Sequence, residues 1–111
     1  MERRRSERKS VQIEARILTE QARYDGVIEN IAEDGICVET ESKNMLCTST
    51  RFNPGTEYEI AFQTPDGGDI KLHCKVAWSY KMAPHGLKRK IGMEIIFPPP
   101  VYVDFCRNLV S

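Results

Sequence analysis

Between Ile70 and Tyr80 the chain alternates without a break: Ile70, Leu72, Cys74, Val76, Trp78 and Tyr80 are apolar, while Lys71, His73, Lys75, Ala77 and Ser79 fall between them. Successive side chains of an extended chain point to opposite faces, so this segment reads as a β-strand with one face turned to a core. That register places Trp78 and Tyr80 on the buried side, where packing is the expected role for both. A single strand cannot cover its own apolar face. The rest of the chain has to supply the partners.

It does so with the same period. Val11, Ile13, Ala15 and Ile17 alternate with Gln12, Glu14 and Arg16, and Tyr24 to Ile31 is a less regular candidate. Ile36 to Thr40 follows Asp34-Gly35 as a short strand. Tyr58, Ile60 and Phe62 follow the Asn53-Pro54-Gly55 turn, and Pro65-Asp66-Gly67-Gly68 reverses the chain into a hairpin with the Ile70 strand. Beyond a polar loop over Lys81 to Lys90, residues Ile91, Met93, Ile95 and Phe97 form a sixth strand that Pro98-Pro99-Pro100 ends. From Val101 the apolar residues recur every four, through Phe105 and Leu109 with Tyr102 and Cys106 beside them, which predicts a short helix. Six strands with one apolar face each, joined mainly by short turns, predict an all-β fold. The expected form is a six-stranded antiparallel (split) barrel, plugged or flanked by the C-terminal helix.

A length of 111 residues, with 41% hydrophobic and 29% charged side chains, suits one domain with one core. No apolar run approaches the roughly 18 residues of a membrane span, and Met1-Glu2-Arg3 leads into polar sequence, so a cytoplasmic location is expected. Cys37, Cys47, Cys74 and Cys106 are unevenly spaced, and neither His73 nor His85 lies at a ligand spacing from them. Zinc is not expected, and the thiols are expected to be reduced. No phosphate-binding loop of the nucleotide-hydrolase kind is present. The carboxylates and histidines read as ordinary surface residues, so no catalytic residue is assigned.

The formal net charge is zero, yet Arg3 to Lys9 gathers five cations into seven positions. Residues 1–9 are expected to be a flexible basic arm, and residues 10–111 the barrel with its helix. Arg4 and Arg8 stand four apart with Arg3 and Arg5 beside Arg4, and guanidinium forks grip phosphates and guanine edges bidentately. A second stretch, Asn30-Ile31-Ala32-Glu33-Asp34-Gly35, joins two strands. The Asn30 amide can both accept from and donate to a guanine, and Gly35 permits a tight turn or a close backbone approach.

In order and spacing these two stretches resemble the motifs of the PilZ domain family, R-x-x-x-R and [D/N]-x-S-x-x-G. The likeness continues through Pro54-Gly55-Thr56, Lys75-Val76-Ala77-Trp78 and Ile91-Gly92-Met93-Glu94. The resemblance implies a non-catalytic receptor for the bacterial second messenger cyclic di-GMP. It places Arg3, Arg4, Arg8, Asn30, Ala32 and Gly35 at the ligand site, and needs no metal or other cofactor. Arg3 would stack on a base, and in the family an arginine there accompanies binding of a stacked ligand pair. The chain departs from the motif at Ala32, which replaces the serine and removes one hydroxyl hydrogen bond. The partner implied is a protein of motility, polysaccharide synthesis or regulation, read by a monomer or weak dimer. Two other readings stand beside this one: a degenerate PilZ adaptor that binds protein without nucleotide, and a nucleic-acid-binding barrel. The last requires aromatic side chains on an outer basic face, and the alternation puts the aromatics inside.

Overall fold

The computed structural model describes residues 8–19, 23–41, 53–82 and 88–109. Six strands form in chain order: β1 (Lys9–Leu18), β2 (Arg23–Ala32), β3 (Gly35–Glu41), β4 (Glu57–Gln63), β5 (Asp69–Met82) and β6 (Lys88–Ile95). Every pairing is antiparallel, and the order β1-β2-β3-β6-β5-β4 closes when β4 pairs back to β1 with Ile17 opposite Ile60. Closure covers the β1 and β4 edges along Ala15–Leu18 and Glu59–Phe62. One helix, α1 (Pro100–Asn108), follows.

The inner faces are those the alternation marks. Ile17, Ile28, Val38, Ile60, Leu72, Cys74 and Ile91 are wholly buried or nearly so, in one continuous core. The turns ahead of β4 and β5 need Gly55 and Gly67 at φ of 92° and 93°, a region open to glycine at little cost. Pro100 occupies the first turn of α1, where its missing amide hydrogen has no helical partner to lose. Tyr102 and Cys106 drive into the core, and Tyr102 and Phe105 both meet Phe62, with ring centroids at 6.5 and 5.7 Å. Val101 does not join them. The buried stripe centres between Tyr102 and Cys106, about 120° around the helix from Val101 at roughly 100° per residue, and Val101 is 56% exposed.

Several boundaries differ from the periodicity. β1 already includes Lys9, β5 runs on to Met82, and β6 begins at Lys88, within the expected loop, and ends at Ile95, leaving Phe97 exposed at φ 51°. Of the polar loop expected over Lys81 to Lys90, residues 83–87 lie outside the described residues, as do Cys47 and His85. The larger correction concerns β5. Its alternation holds from Ile70 to Val76 and then fails, and Trp78 and Tyr80 are 40% and 52% exposed on the outside of the barrel. Val76 pairs with Met93, but Trp78 pairs with Gly92, so Ala77 is an extra residue on β5. A bulge of one residue turns every later side chain to the other face.

Candidate functional site

That bulge is one of three, and all lie at the same level of the barrel. β1 carries one extra residue between Ser10 and Ile13, and β2 carries one between Ile28 and Asn30. The second explains the irregular pattern of β2: Ile28 and Ile31, three apart, both point into the core. Asn30 is therefore turned to the outer face, where it stands opposite Cys37, Cys37 opposite Gly92, and Gly92 opposite Trp78. A row of four residues thus crosses β2, β3, β6 and β5. Three steps between strands span about 14 Å at 4.7–4.9 Å each.

The row has a small middle and larger ends. Cys37 and Gly92 form a low floor, with Asn30 at one rim and the Trp78 indole at the other, and Arg8, Ala32, Asp34, Gly35 and Glu94 complete an open depression of about 200 Å³. Arg8 stands just ahead of β1 with its side chain exposed, and its charge acts on the Cys37 thiol. Burial, followed by the nearby Glu29 charge, pushes that thiol up from its ordinary value, so Cys37 is a neutral floor residue and not a nucleophile. Gly35 has no positive φ. Its need is proximity: a Cβ there would lie 2.9 Å from the Met93 carbonyl oxygen, inside contact distance.

The turn between β2 and β3 is anchored from below by α1. The Tyr102 hydroxyl donates to the Ala32 carbonyl in the buried interior, and Arg107 Nε lies 3.2 Å from Glu33 Oε2 at the surface. The amide of Ile95 donates to the Asp34 carbonyl at 3.0 Å. The same helix holds the other side of the site, because Lys9 Nζ, next to Arg8, donates to the carbonyls of Cys106 and Leu109 at 2.9 and 2.8 Å. Cys106 lies in the last turn of α1, where its carbonyl also accepts from the Leu109 amide at 3.3 Å, and Leu109 caps the helix, so the ammonium sits at the end that favours a cation.

Beyond the depression the outer face of β2, β3 and β6 carries paired charges. Lys90 Nζ lies 3.2 Å from Glu29 and Lys88 Nζ 3.7 Å from Glu39. The two carboxyl groups also share a hydrogen bond, which holds Glu29 below the usual carboxylate range and Glu39 above it. The one described histidine, His73, sits 2.6 Å from Glu57 on an exposed strand face. Among the described residues no group of three or more His, Cys, Asp or Glu could hold a metal ion, and no helix is long and apolar enough to cross a membrane.

Of the six residues assigned from sequence, Arg8, Asn30, Ala32 and Gly35 meet at this depression, while Arg3 and Arg4 lie outside the described residues. Of the lining residues that were not assigned from sequence, Trp78 and Gly92 shape the rim and floor. The available signal was Gly92 itself, since a glycine in a strand interior with no turn to make marks a close approach by something bulky. The exposed aromatics also remove the ground on which the nucleic-acid reading was set aside.

Several solved structures share this fold. Among solved structures the chain is similar to the Bacillus subtilis inhibitor of motility, MotI/DgrA, with a TM-score of 0.74 and 18% identity over 96% of this chain and 51% of that one. It is similar to the PilZ domain of YcgR from Escherichia coli, determined with c-di-GMP, at a TM-score of 0.67 and 12% identity over 96% and 87%. A third likeness is to Borreliella burgdorferi PlzA in complex with c-di-GMP, at 0.61 and 10% over 96% and 55%. The chain thus spans about half the length of MotI/DgrA and PlzA. No curated protein matches the sequence. At these identities the solved structures establish the fold, and the PilZ domain family matches residues 2–103. The chain belongs to the PilZ domain family.

Proposed function

We propose that the protein is a non-catalytic cyclic di-GMP receptor that relays the signal to a protein partner in motility, biofilm or polysaccharide control. One observation carries this reading: Arg8, remote in sequence from the β2–β3 turn, lines one depression on the barrel surface together with Asn30, Ala32 and Gly35 of that turn. YcgR and PlzA, which share the fold, were determined with c-di-GMP. The depression is smaller than the roughly 300–1,000 Å³ of sites that enclose a small molecule. A dinucleotide therefore rests on it half covered, and Arg4 and Arg3, arriving from the segment ahead of Arg8, complete the grip on phosphates and bases. Fixing that segment costs about 1–2 kcal/mol per residue, which the charge-assisted contacts of the arginines have to exceed. The covered ligand and fixed arm then form a new surface for the partner.

The exposed Trp78 and Tyr80 rings favour a second reading, single-stranded nucleic acid stacked on the outside of β5. Against it, Lys88 and Lys90 on the neighbouring strand are already paired with Glu39 and Glu29, so the face offers little net positive charge to a phosphate backbone. The two readings separate by salt: polynucleotide affinity falls steeply with ionic strength, and a dinucleotide site has a modest slope and a strict guanine preference.

Calorimetric titration with cyclic di-GMP, with GTP as control, tests the proposal on the parent and on Arg8→Ala. Micromolar binding by the parent and at least tenfold weaker binding by the variant are expected. Equal affinity of the two proteins would remove Arg8 from the site.

A further inference from the structure

Gly92 lies inside β6, between Ile91 and Met93, where no turn asks for a glycine. A Cβ built on it would meet Trp78 at 2.2, 2.4 and 2.5 Å, the three nearest atoms all belonging to the indole ring. No real side chain tolerates such contacts, so the ring occupies the space that a residue-92 side chain would fill. On the side away from the depression the ring is backed by Tyr80, at a centroid distance of 5.7 Å and an interplanar angle of 17°. Tyr80 does not line the depression, whereas Trp78 does.

We propose that Gly92 is a positioning residue for the ligand site: it lets the Trp78 indole, backed by Tyr80, lie across β6 at the rim, where a guanine of the ligand stacks on it. This rests on the cyclic di-GMP reading above. The bulge at Ala77 brings the ring to the outer face, and the missing side chain at 92 sets it down on the floor. A methyl group at 92 lifts the ring away without disturbing the core, because Trp78 is 40% exposed and free to swing outward.

Trp78 is the chain's single tryptophan, so intrinsic emission reports on the rim directly. The experiment compares the parent, Gly92→Ala, Trp78→Ala and the double variant, by calorimetry with cyclic di-GMP, thermal unfolding and, where the tryptophan remains, fluorescence titration. The expected result is quenching of the parent on binding. Gly92→Ala should unfold within a few degrees of the parent, lose the quenching and bind at least fivefold more weakly. Trp78→Ala should weaken binding to a similar degree, and adding Gly92→Ala to it should change nothing further, since the glycine acts only through the ring. Parent-like affinity of Gly92→Ala, or an equal loss in the Trp78→Ala background, overturns the role of Gly92 while leaving the receptor intact. A parent that binds no cyclic di-GMP overturns the receptor reading and this inference with it.

Discussion

Tyr102→Phe isolates one oxygen atom that ties the helix to the turn lining the depression. Tyr102 is 0% exposed, and its hydroxyl donates to the Ala32 carbonyl inside the protein. Phenylalanine keeps the ring, its edge contact with Phe62 and its burial, so the apolar contribution is unchanged. What is lost is one buried hydrogen bond, about 0.5–1.5 kcal/mol net, while Ala32 keeps its place opposite Gly35 in the ladder. In a domain of this size each kcal/mol moves the thermal midpoint by about 4–8 °C, so a fall of roughly 2–12 °C is expected. Circular dichroism melts read it, and urea titration should show a lower midpoint at unchanged slope.

The pH dependence of that difference carries a sign. Burial, above all, raises the Tyr102 hydroxyl from its ordinary value of 10.0. A raised folded value means that the stabilisation is whole below pH 10 and is lost above it, as the unfolded chain ionises first. The gap between parent and variant should therefore be full at pH 7 and narrow in alkali. Ligand affinity should drop with stability, because Ala32 belongs to the turn that presents Asn30 and Gly35. A variant that melts within about a degree of the parent at pH 7 would refute the claim that this bond holds the turn.

Two further substitutions test neighbouring parts of the site. Ala32→Ser restores the hydroxyl of the family motif at a residue lining the depression, and one neutral hydrogen bond of about 0.5–1.5 kcal/mol predicts two- to tenfold tighter cyclic di-GMP binding by calorimetry; unchanged affinity would place the ligand out of reach of this turn. Glu39→Gln removes a carboxyl that its Glu29 neighbour holds above the usual range, while the new amide can still donate to Glu29. A raised carboxyl disfavours the folded state once ionised, so the variant should melt higher than the parent at pH 7 by a degree or more, with the advantage vanishing near pH 3, where Glu39 carries its proton in both states. A variant that melts lower at pH 7 would mean that the Lys88 contact outweighs the repulsion.

The barrel was legible because burial repeats every two residues, and that property needs only the strand itself. Ile13, Ala15 and Ile17, or Ile70, Leu72, Cys74 and Val76, declare their face whatever they pair with. Arg8, Asn30 and Gly35 were legible for a different reason, as fixed letters of a family motif. Trp78 was not, because its orientation is settled by pairing across two strands: Val76 opposite Met93 and Trp78 opposite Gly92 leave Ala77 unmatched. Nothing in Val76-Ala77-Trp78 announces that mismatch. Val101 was misplaced more simply, since a stripe repeating every four residues drifts around a helix of 3.6 residues per turn, and its first member ended at the edge.

The three bulges have a common consequence that bears on function. A closed barrel must give its inward positions to the core, so an unbroken alternation leaves the outer face with whatever polar residues remain. An extra residue in β2 and in β5 breaks that constraint at one level, turning Asn30 and then Trp78 outward on either side of the small pair Cys37 and Gly92. The extra residue in β1 falls just beyond Lys9, which α1 holds by its carbonyls, and so lies beside the point where Arg8 enters. Polar, cationic and aromatic groups thereby meet on a surface whose underside stays filled with isoleucine, valine and leucine. The core keeps the strands in place, and the breaks in its pattern supply the rim. A chain with all six strands perfectly alternating would fold as well and would present no such depression.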